Sequence, residues 1–279
     1  MPSWSLSTPT GPPSVLMTSV KRSPILVVDG GALGGSTSTM ADQYHDTAVV
    51  LRTYRLGEAD KIVVLMTAAH GKVRAVAKGV RRTRSKFGAR LEPMSHVSVL
   101  MHRGRNLDIV TQAESVDPLT PLWSSLDRAS QAMAALEAVD QIAWEGDPNP
   151  QLYRMLVGVL STIAEHPAPL NVAAFLWKLL AADGVAPQLD SCVGCGTPDD
   201  LVAFTLQLGG VTCRSCRTGL SLSSGALAIM RDILGGRLAA ALALDESPAT
   251  HEVGELATRA FEYHIERRLK SVAVFERSR

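Results

Sequence analysis

The four cysteines constrain the fold of this 279-residue chain more than any other feature, because all of them fall within one 25-residue window. They form two C-x2-C pairs, Cys192 with Cys195 and Cys213 with Cys216, and 17 residues separate the pairs. Each pair presents two thiolates from a tight turn, and the intervening segment is long enough for a small hairpin. This arrangement predicts a tetrahedral Zn²⁺ site.

A Zn²⁺ ion held by four cysteines would be structural, because no coordination position remains for water or substrate. Two disulfides or a redox-active dithiol pair are the alternatives to one Zn²⁺ ion. A reducing compartment argues against the disulfides. The sequence also contains no apolar run long enough to span a membrane, so we expect a cytoplasmic protein.

A second feature is the segment between His70 and Leu91, which carries eight cations and no Asp or Glu. The whole chain has 28 Lys plus Arg against 27 Asp plus Glu, so removing these eight leaves 20 against 27, a net charge of −7. The segment is a candidate phosphate-binding surface whose affinity would fall steeply with salt. A solvated basic loop or a contact for an acidic partner protein is the alternative. The eight cations are Lys72, Arg74, Lys78, Arg81, Arg82, Arg84, Lys86 and Arg90.

From Ala48 onward the sequence predicts five short β-strands separated by turns. This spacing is typical of a small closed barrel or sandwich, and a five-stranded Greek-key barrel of the OB type is a common platform for single-stranded nucleic acids. The predicted strands are Ala48–Tyr54, Lys61–Thr67, Lys72–Ala77, His96–Met101 and Leu107–Thr111.

Residue alternation in the third strand predicts which of its side chains face solvent. Val73, Ala75 and Ala77 share one face. We expect the other face to present its cations to solvent, and the tip of the last hairpin to extend that basic face. These cations are Lys72, Arg74 and Lys78 in the strand, and Arg103 and Arg105 in the hairpin.

Aromatic residues are scarce in the predicted barrel, where Tyr44, Tyr54 and Phe87 are the only ones. Phosphate contact should therefore outweigh base stacking, and sequence specificity should be low. Stacking on a base and packing in the core both remain open for Phe87.

Beyond Pro118 the apolar residues recur at steps of three and four, which predicts amphipathic helices that pack into one core. The overall prediction is a multidomain α+β protein. An OB-fold domain at 40–118 precedes a mostly helical domain at 119–279, with the zinc unit inserted at 190–218. Residues 1–39 are rich in Ser, Thr, Gly and Pro, and we expect a disordered N-terminal extension.

No catalytic cluster is evident in the sequence. The seven histidines include no pair at i, i+4, and the glycine-rich segment near Ser36 lacks the lysine of a phosphate loop. We therefore expect function to reside in binding surfaces and not in catalysis.

Several segments resemble bacterial RecO proteins, including Gly57-Glu58-Ala59-Asp60-Lys61-Ile62-Val63 and the run from Lys72 to Arg82. The resemblance continues through Ser85–Pro93 and Gly104–Leu107, and it covers about residues 44–118 strongly. The helical part matches in outline and in its C-x2-C pairs, which is similar to a zinc-containing branch of these proteins.

The resemblance implies a DNA repair and recombination mediator that binds single- and double-stranded DNA and anneals complementary strands without ATP. It also implies work with RecR, with the C-terminal tail of single-stranded DNA-binding protein, and with RecA, which it helps to load, in the cytoplasm at the nucleoid. All ten cations named above are then candidate phosphate contacts. Two other functions stay open: a zinc-ribbon factor associated with RNA or transcription, and a protein-interaction scaffold.

Overall fold

A computed structural model describes residues 43–117 and 119–271 of the chain. The expectation of a disordered extension over residues 1–39 lies outside these ranges. Within them, no helix is both long enough and apolar enough to cross a membrane.

The first part of the described chain is a closed five-stranded barrel, as the sequence predicts. The strands follow one another around the barrel in the order β1-β2-β3-β5-β4, and β4 pairs back onto β1. The contact of β3 with β5 is parallel, whereas the other pairings are antiparallel. This is the topology of a Greek-key OB-fold. The strands are β1 (Gln43–Leu56), β2 (Asp60–Thr67), β3 (Gly71–Ala77), β4 (His96–His102) and β5 (Asp108–Asp117).

Strand β1 is longer than predicted because it serves two partners. Its first half pairs with β4, its second half pairs with β2, and the register shifts between Val50 and Arg52. Residues 43–47 are mostly polar, so the apolar pattern did not identify them as a strand. Their pairing with β4 holds them in the barrel.

Both faces of β1 and β2 are buried where these strands cross the middle of the molecule. Val50 and Leu65 point into the barrel, whereas Val49 and Met66 belong to the larger apolar cluster that the helices complete. This double burial explains the unbroken apolar run Ile62–Met66, because a strand covered on both faces needs no polar alternation.

Within the described residues six α-helices follow the barrel, and capping side chains fix where several of them begin. Ser125, Asn149 and Ser223 each accept a hydrogen bond from a backbone amide in the first turn of a helix, and Ser247 forms a capping box with Thr250. A 3₁₀ turn, Thr120–Trp123, leads into the first helix. The helices are α1 (Leu126–Ile142), α2 (Pro150–Glu165), α3 (Asn171–Ala182), α4 (Ser224–Leu234), α5 (Leu238–Leu242) and α6 (Pro248–Ile265).

A small antiparallel sheet lies between α3 and α4 in the chain. It contains β6 (Leu201–Thr205), β7 (Gly210–Cys213) and β8 (Leu220–Ser221), in the order β7-β6-β8. Phe204 anchors the sheet to the helices through an edge contact with Trp177, with ring centroids 5.7 Å apart. The sheet therefore shares the helical core.

The start of β3 is joined closely to the segment that follows α1. The Gly146 amide donates to the Lys72 carbonyl at 2.9 Å. Gly71 has φ +68°, and a Cβ at this position would overlap the carbonyl oxygen of Asp147. A residue larger than glycine would therefore push the barrel and the helices apart here.

Candidate nucleic-acid interface and metal centre

Most of the basic segment forms the connection between β3 and β4, which we call the basic loop and define as residues 78–95. Three apolar side chains fix this loop to the barrel interior: Val80, Phe87 and Leu91 are 8%, 1% and 0% exposed. The chain between these anchors consists of turns. The polar side chains between the anchors are thereby directed to solvent.

All six cations of the basic loop are exposed. None of them lies within 4.0 Å of a carboxylate in the described ranges 43–117 and 119–271, so no ion pair there neutralises them. The result is a patch of unpaired positive charge on one side of the barrel. The six are Lys78, Arg81, Arg82, Arg84, Lys86 and Arg90.

Two carboxylates at the ends of the basic loop are engaged by other groups. Asp60 accepts the backbone N–H of Gly79 at 2.7 Å, and Glu92 is paired with Lys61 at 2.5 Å. These contacts hold both ends of the basic loop and leave its cations without competition from either carboxylate.

Some cations of the loop also bond to nearby backbone. Lys86 donates to the Thr111 carbonyl on β5 at 2.7 Å, Arg81 donates to the Gly57 carbonyl at 3.3 Å, and Arg90 donates to the Lys86 carbonyl at 3.1 Å. A guanidinium carries five N–H donors, so both arginines retain donors for a phosphate. The bonds orient the side chains without using up their capacity.

The two cations of the β4–β5 turn lie beside β5, the strand that Lys86 contacts. Arg103 and Arg105 are both exposed, and the Arg103 guanidinium lies 4.8 Å from the centre of the Tyr44 ring. The Tyr44 hydroxyl is hydrogen-bonded to Asp108, and burial, followed by that contact, raises its pKa. The turn contacts β5 at Asp108, and the basic loop contacts β5 at Thr111. These two residues are three positions apart, so the two points of contact are separated by about 10 Å along the strand.

The structure corrects the expectation that Lys72 faces solvent. Its side chain is only 12% exposed, and its ammonium donates to the Asp140 carbonyl on α1 at 2.7 Å and lies 3.6 Å from the Asp140 carboxylate. The reason is that this face of β3 meets the helical region. Arg74 on the same face is 42% exposed and lies 3.6 Å from Glu145. Lys72 is about 20 Å along β3 from Lys78, so the two cations do not share a surface patch.

Phe87 packs in the barrel core and does not present its ring to solvent. The Lys86 ammonium lies 5.0 Å from the centre of that ring and covers it. Of the two roles left open for Phe87, the structure supports packing in the core over stacking on a base. Trp123 is 60% exposed near the basic loop. Its sequence pattern did not mark it as a site residue, because it lies beyond Pro118 in a segment interpreted as helical.

The four cysteines come together in space as their spacing predicts. Their Sγ atoms all lie within 4.8 Å of one another, and those of Cys195 and Cys213 are 3.7 Å apart. Zn–S bonds of about 2.3 Å in a tetrahedron give S···S distances of about 3.8 Å, so the cluster has the size of a tetrahedral thiolate site. Gly194 allows this approach, since a Cβ there would lie 3.2 Å from the Cys216 side chain.

Backbone amides make the cluster ready to hold a cation. Cys192 Sγ accepts the Cys213 N–H at 3.3 Å and the Gly194 N–H at 3.4 Å, and these donors, Cys213 first, lower the pKa of Cys192 to about 6. Contact with the thiols of Cys195 and then Cys213 raises the pKa of Cys216 to about 12. A bound metal cation would stabilise the thiolates that resist forming in its absence.

Two family models together cover most of the chain. Residues 40–119 match Recombination protein O N terminal, and residues 124–273 match Recombination protein O C terminal. The chain belongs to the Recombination protein O family. The resemblance to RecO is therefore confirmed, and membership supports a role in DNA repair and recombination.

The two RecO matches divide the candidate sites between them. The basic loop falls within the N-terminal match, which corresponds to the OB-fold, and the cysteine cluster falls within the C-terminal match. RecO membership also supports DNA binding and protein partners in recombination. Among residues 43–117 and 119–271, the cysteine cluster is the one group of His, Cys, Asp or Glu side chains arranged to hold a metal ion.

Proposed function

We propose that this RecO protein binds single- and double-stranded DNA through the basic loop and anneals complementary strands without ATP. We further propose that it cooperates with RecR in loading RecA onto DNA covered by single-stranded DNA-binding protein. The observation that carries the proposal is the set of six exposed loop cations, which no carboxylate neutralises in the described part of the chain and which lie on the OB-fold of a recombination protein.

Annealing by such a surface has a simple physical basis. Cations that hold two strands near one another reduce the repulsion between their phosphates and raise the local concentration of each strand. Contacts directed mainly to phosphates leave the base edges free to pair. Neither effect requires hydrolysis, so we propose that the protein acts by binding and has no catalytic residues.

The same surface offers a route to protein partners. An acidic peptide, such as the C-terminal tail of single-stranded DNA-binding protein, is complementary to the loop in charge. DNA and the tail would then compete, and this competition provides a way to exchange one for the other.

For the metal site we propose one structural Zn²⁺ ion, held by Cys192, Cys195, Cys213 and Cys216. Four thiolates in a tetrahedral cluster of this size favour zinc among the common protein metals. The ion would tie β7 to the turn of the first cysteine pair, whose backbone already bonds to β7 through the Val193 amide and the Val211 carbonyl. It would stabilise this unit and supply no reactive position.

A charge-removal variant tests the DNA-binding proposal. Replacing Arg81, Arg82 and Arg84 by Ala should weaken binding of a single-stranded oligonucleotide. Each phosphate contact contributes about −0.7 to the slope of log K against log salt for a single strand, so losing three should flatten that slope by about 2. Fluorescence anisotropy over a salt series measures both quantities.

The matched control removes three exposed arginines of the helical region, Arg217, Arg237 and Arg259, by the same substitution. It should retain most of the affinity and the full salt slope. The proposal is wrong if the loop variant is folded and binds as the wild type does, or if both variants lose the same affinity. A preference for RNA over DNA of equal length would favour the RNA-binding alternative.

A further inference from the structure

An open groove of about 610 Å³ lies where the barrel meets the helical region. It is lined by the second half of the basic loop, the start of β4, the end of β5 and the 3₁₀ turn that leads into α1. Its volume falls in the range of small-ligand sites, about 300–1,000 Å³. The groove is therefore large enough to receive one nucleotide unit of a strand.

Trp123 supplies the aromatic surface of this groove. The side chain is 60% exposed, whereas Phe87, which also lines the groove, is 1% exposed. An indole at this position is held by the 3₁₀ turn, since Leu122 beside it is completely buried in the helical core. The backbone of Trp123 is thus held in place, and its ring is accessible to solvent.

The charges that line the groove favour a polyanion. Lys86 and Arg90 form its basic side, and neither is paired with a carboxylate within the described residues. One carboxylate, Asp117, also lines the groove, but it lies at the end of β5, in register with His96 on β4. Phosphates are attracted to Lys86 and Arg90, and Trp123 in the same groove is available to the attached base.

We propose that this groove is a base-stacking site, in which an unpaired base of single-stranded DNA stacks on Trp123 while Lys86 and Arg90 hold the adjacent phosphate. The inference rests on the proposed function and gives it a second component that is not electrostatic. Exposed aromatic rings beside cationic grooves bind single strands in this way, because every base has a π-face. A base within a duplex is already stacked, so the site discriminates in favour of single strands.

The test compares strands with and without bases. A thymine oligonucleotide of about 16 nucleotides, the upper end of the OB-fold site size, is matched with an abasic strand of equal length and charge. Trp123→Ala should weaken binding of the thymine strand about fivefold or more, the effect of losing one base–aromatic stack, and leave the abasic strand unaffected. Trp123→Phe should retain part of the affinity. Trp144→Ala, which removes a 78% exposed indole elsewhere on the helical region, is the matched control.

The outcomes separate this inference from the proposed function. If the wild type binds neither strand, the proposed function fails and the inference fails with it. If the wild type binds both strands and Trp123→Ala changes neither affinity, or lowers both equally, DNA binding stands and the stacking site is wrong. Circular dichroism of each variant shows whether the fold is intact, and Trp123→Phe provides the decisive comparison should Trp123→Ala be misfolded.

Discussion

At the scale of single residues, burial separates side chains that the sequence shows as equivalent. Lys72 and Lys78 are both lysines of the same basic segment, yet Asp140 binds the first and solvent surrounds the second. Sequence alternation correctly assigned the faces of β3, but it carried no information about what covers the outer face. That depends on contacts with Asp140 of α1, which lies 68 residues further along the chain than Lys72.

Phe87 provides a prediction at the same scale. Replacement by Ala removes a completely packed ring and should lower the free energy of unfolding by about 3–5 kcal/mol. Replacement by Leu keeps most of the volume and should cost less than about 1.5 kcal/mol. Urea unfolding followed by circular dichroism measures both changes.

The Leu variant also distinguishes packing from base contact. If Phe87 serves only to anchor the basic loop, Phe87→Leu binds single-stranded DNA with unchanged affinity. A folded Phe87→Leu variant that loses affinity several-fold would instead place the ring in contact with DNA.

At the scale of elements, local sequence signals identified the barrel strands and the cysteine unit. The five strands and the hairpin between the cysteine pairs follow from alternation, turn residues and C-x2-C spacing. The start of β1 and the second half of β5 were missed, because residues 43–47 and 112–117 are held by pairing with β4 and not by their own apolar pattern. The groove beside Trp123 was also missed, since distant segments of the chain form it together.

The cysteine unit gives a prediction for this scale. We expect the purified protein to contain one Zn²⁺ ion, measured by inductively coupled plasma mass spectrometry. A strong chelator, or the double change of Cys192 and Cys195 to Ser, should lower thermal stability, because the folded unit loses its cross-link. Zinc affinity should decrease as pH falls, since protons compete with the metal for the thiolates.

Ser215→Ala is the control for this experiment, because Ser215 lies between two of the cysteines without offering a thiolate. It should retain both zinc and stability. Protein that is folded and free of zinc, or a thermal transition that chelation does not move, would rule out a structural zinc ion.

At the scale of the whole molecule, the apolar core joins the barrel to the helices, whereas the unpaired cations are concentrated on the basic loop. The larger apolar cluster is continuous from the outer face of β1 and β2 through the helices and onto the small sheet, so the barrel is braced against the rest of the protein. Arg52 adds to this bracing through its 2.9 Å contact with Asp140. The unpaired cations lie on the basic loop. The apolar anchors of this loop belong to the separate core inside the barrel.

This arrangement anchors the backbone of the basic loop to the barrel core. A strand that bound there would meet a loop whose backbone is already ordered, which would reduce the ordering cost of binding. Under the proposed function, two strands attracted to the same surface would be brought together while their bases remained able to pair. The central claim is that this surface is what accelerates pairing.

The most direct test is the rate at which two complementary oligonucleotides anneal without ATP, followed by fluorescence transfer over a salt series. The wild-type protein should accelerate annealing strongly at low salt, and the acceleration should fall as salt rises. The variant with Arg81, Arg82 and Arg84 changed to Ala should lose most of it, while the helical-region control retains it. Folded wild-type protein that never accelerates annealing, or acceleration that is undiminished in the loop variant, would contradict the account.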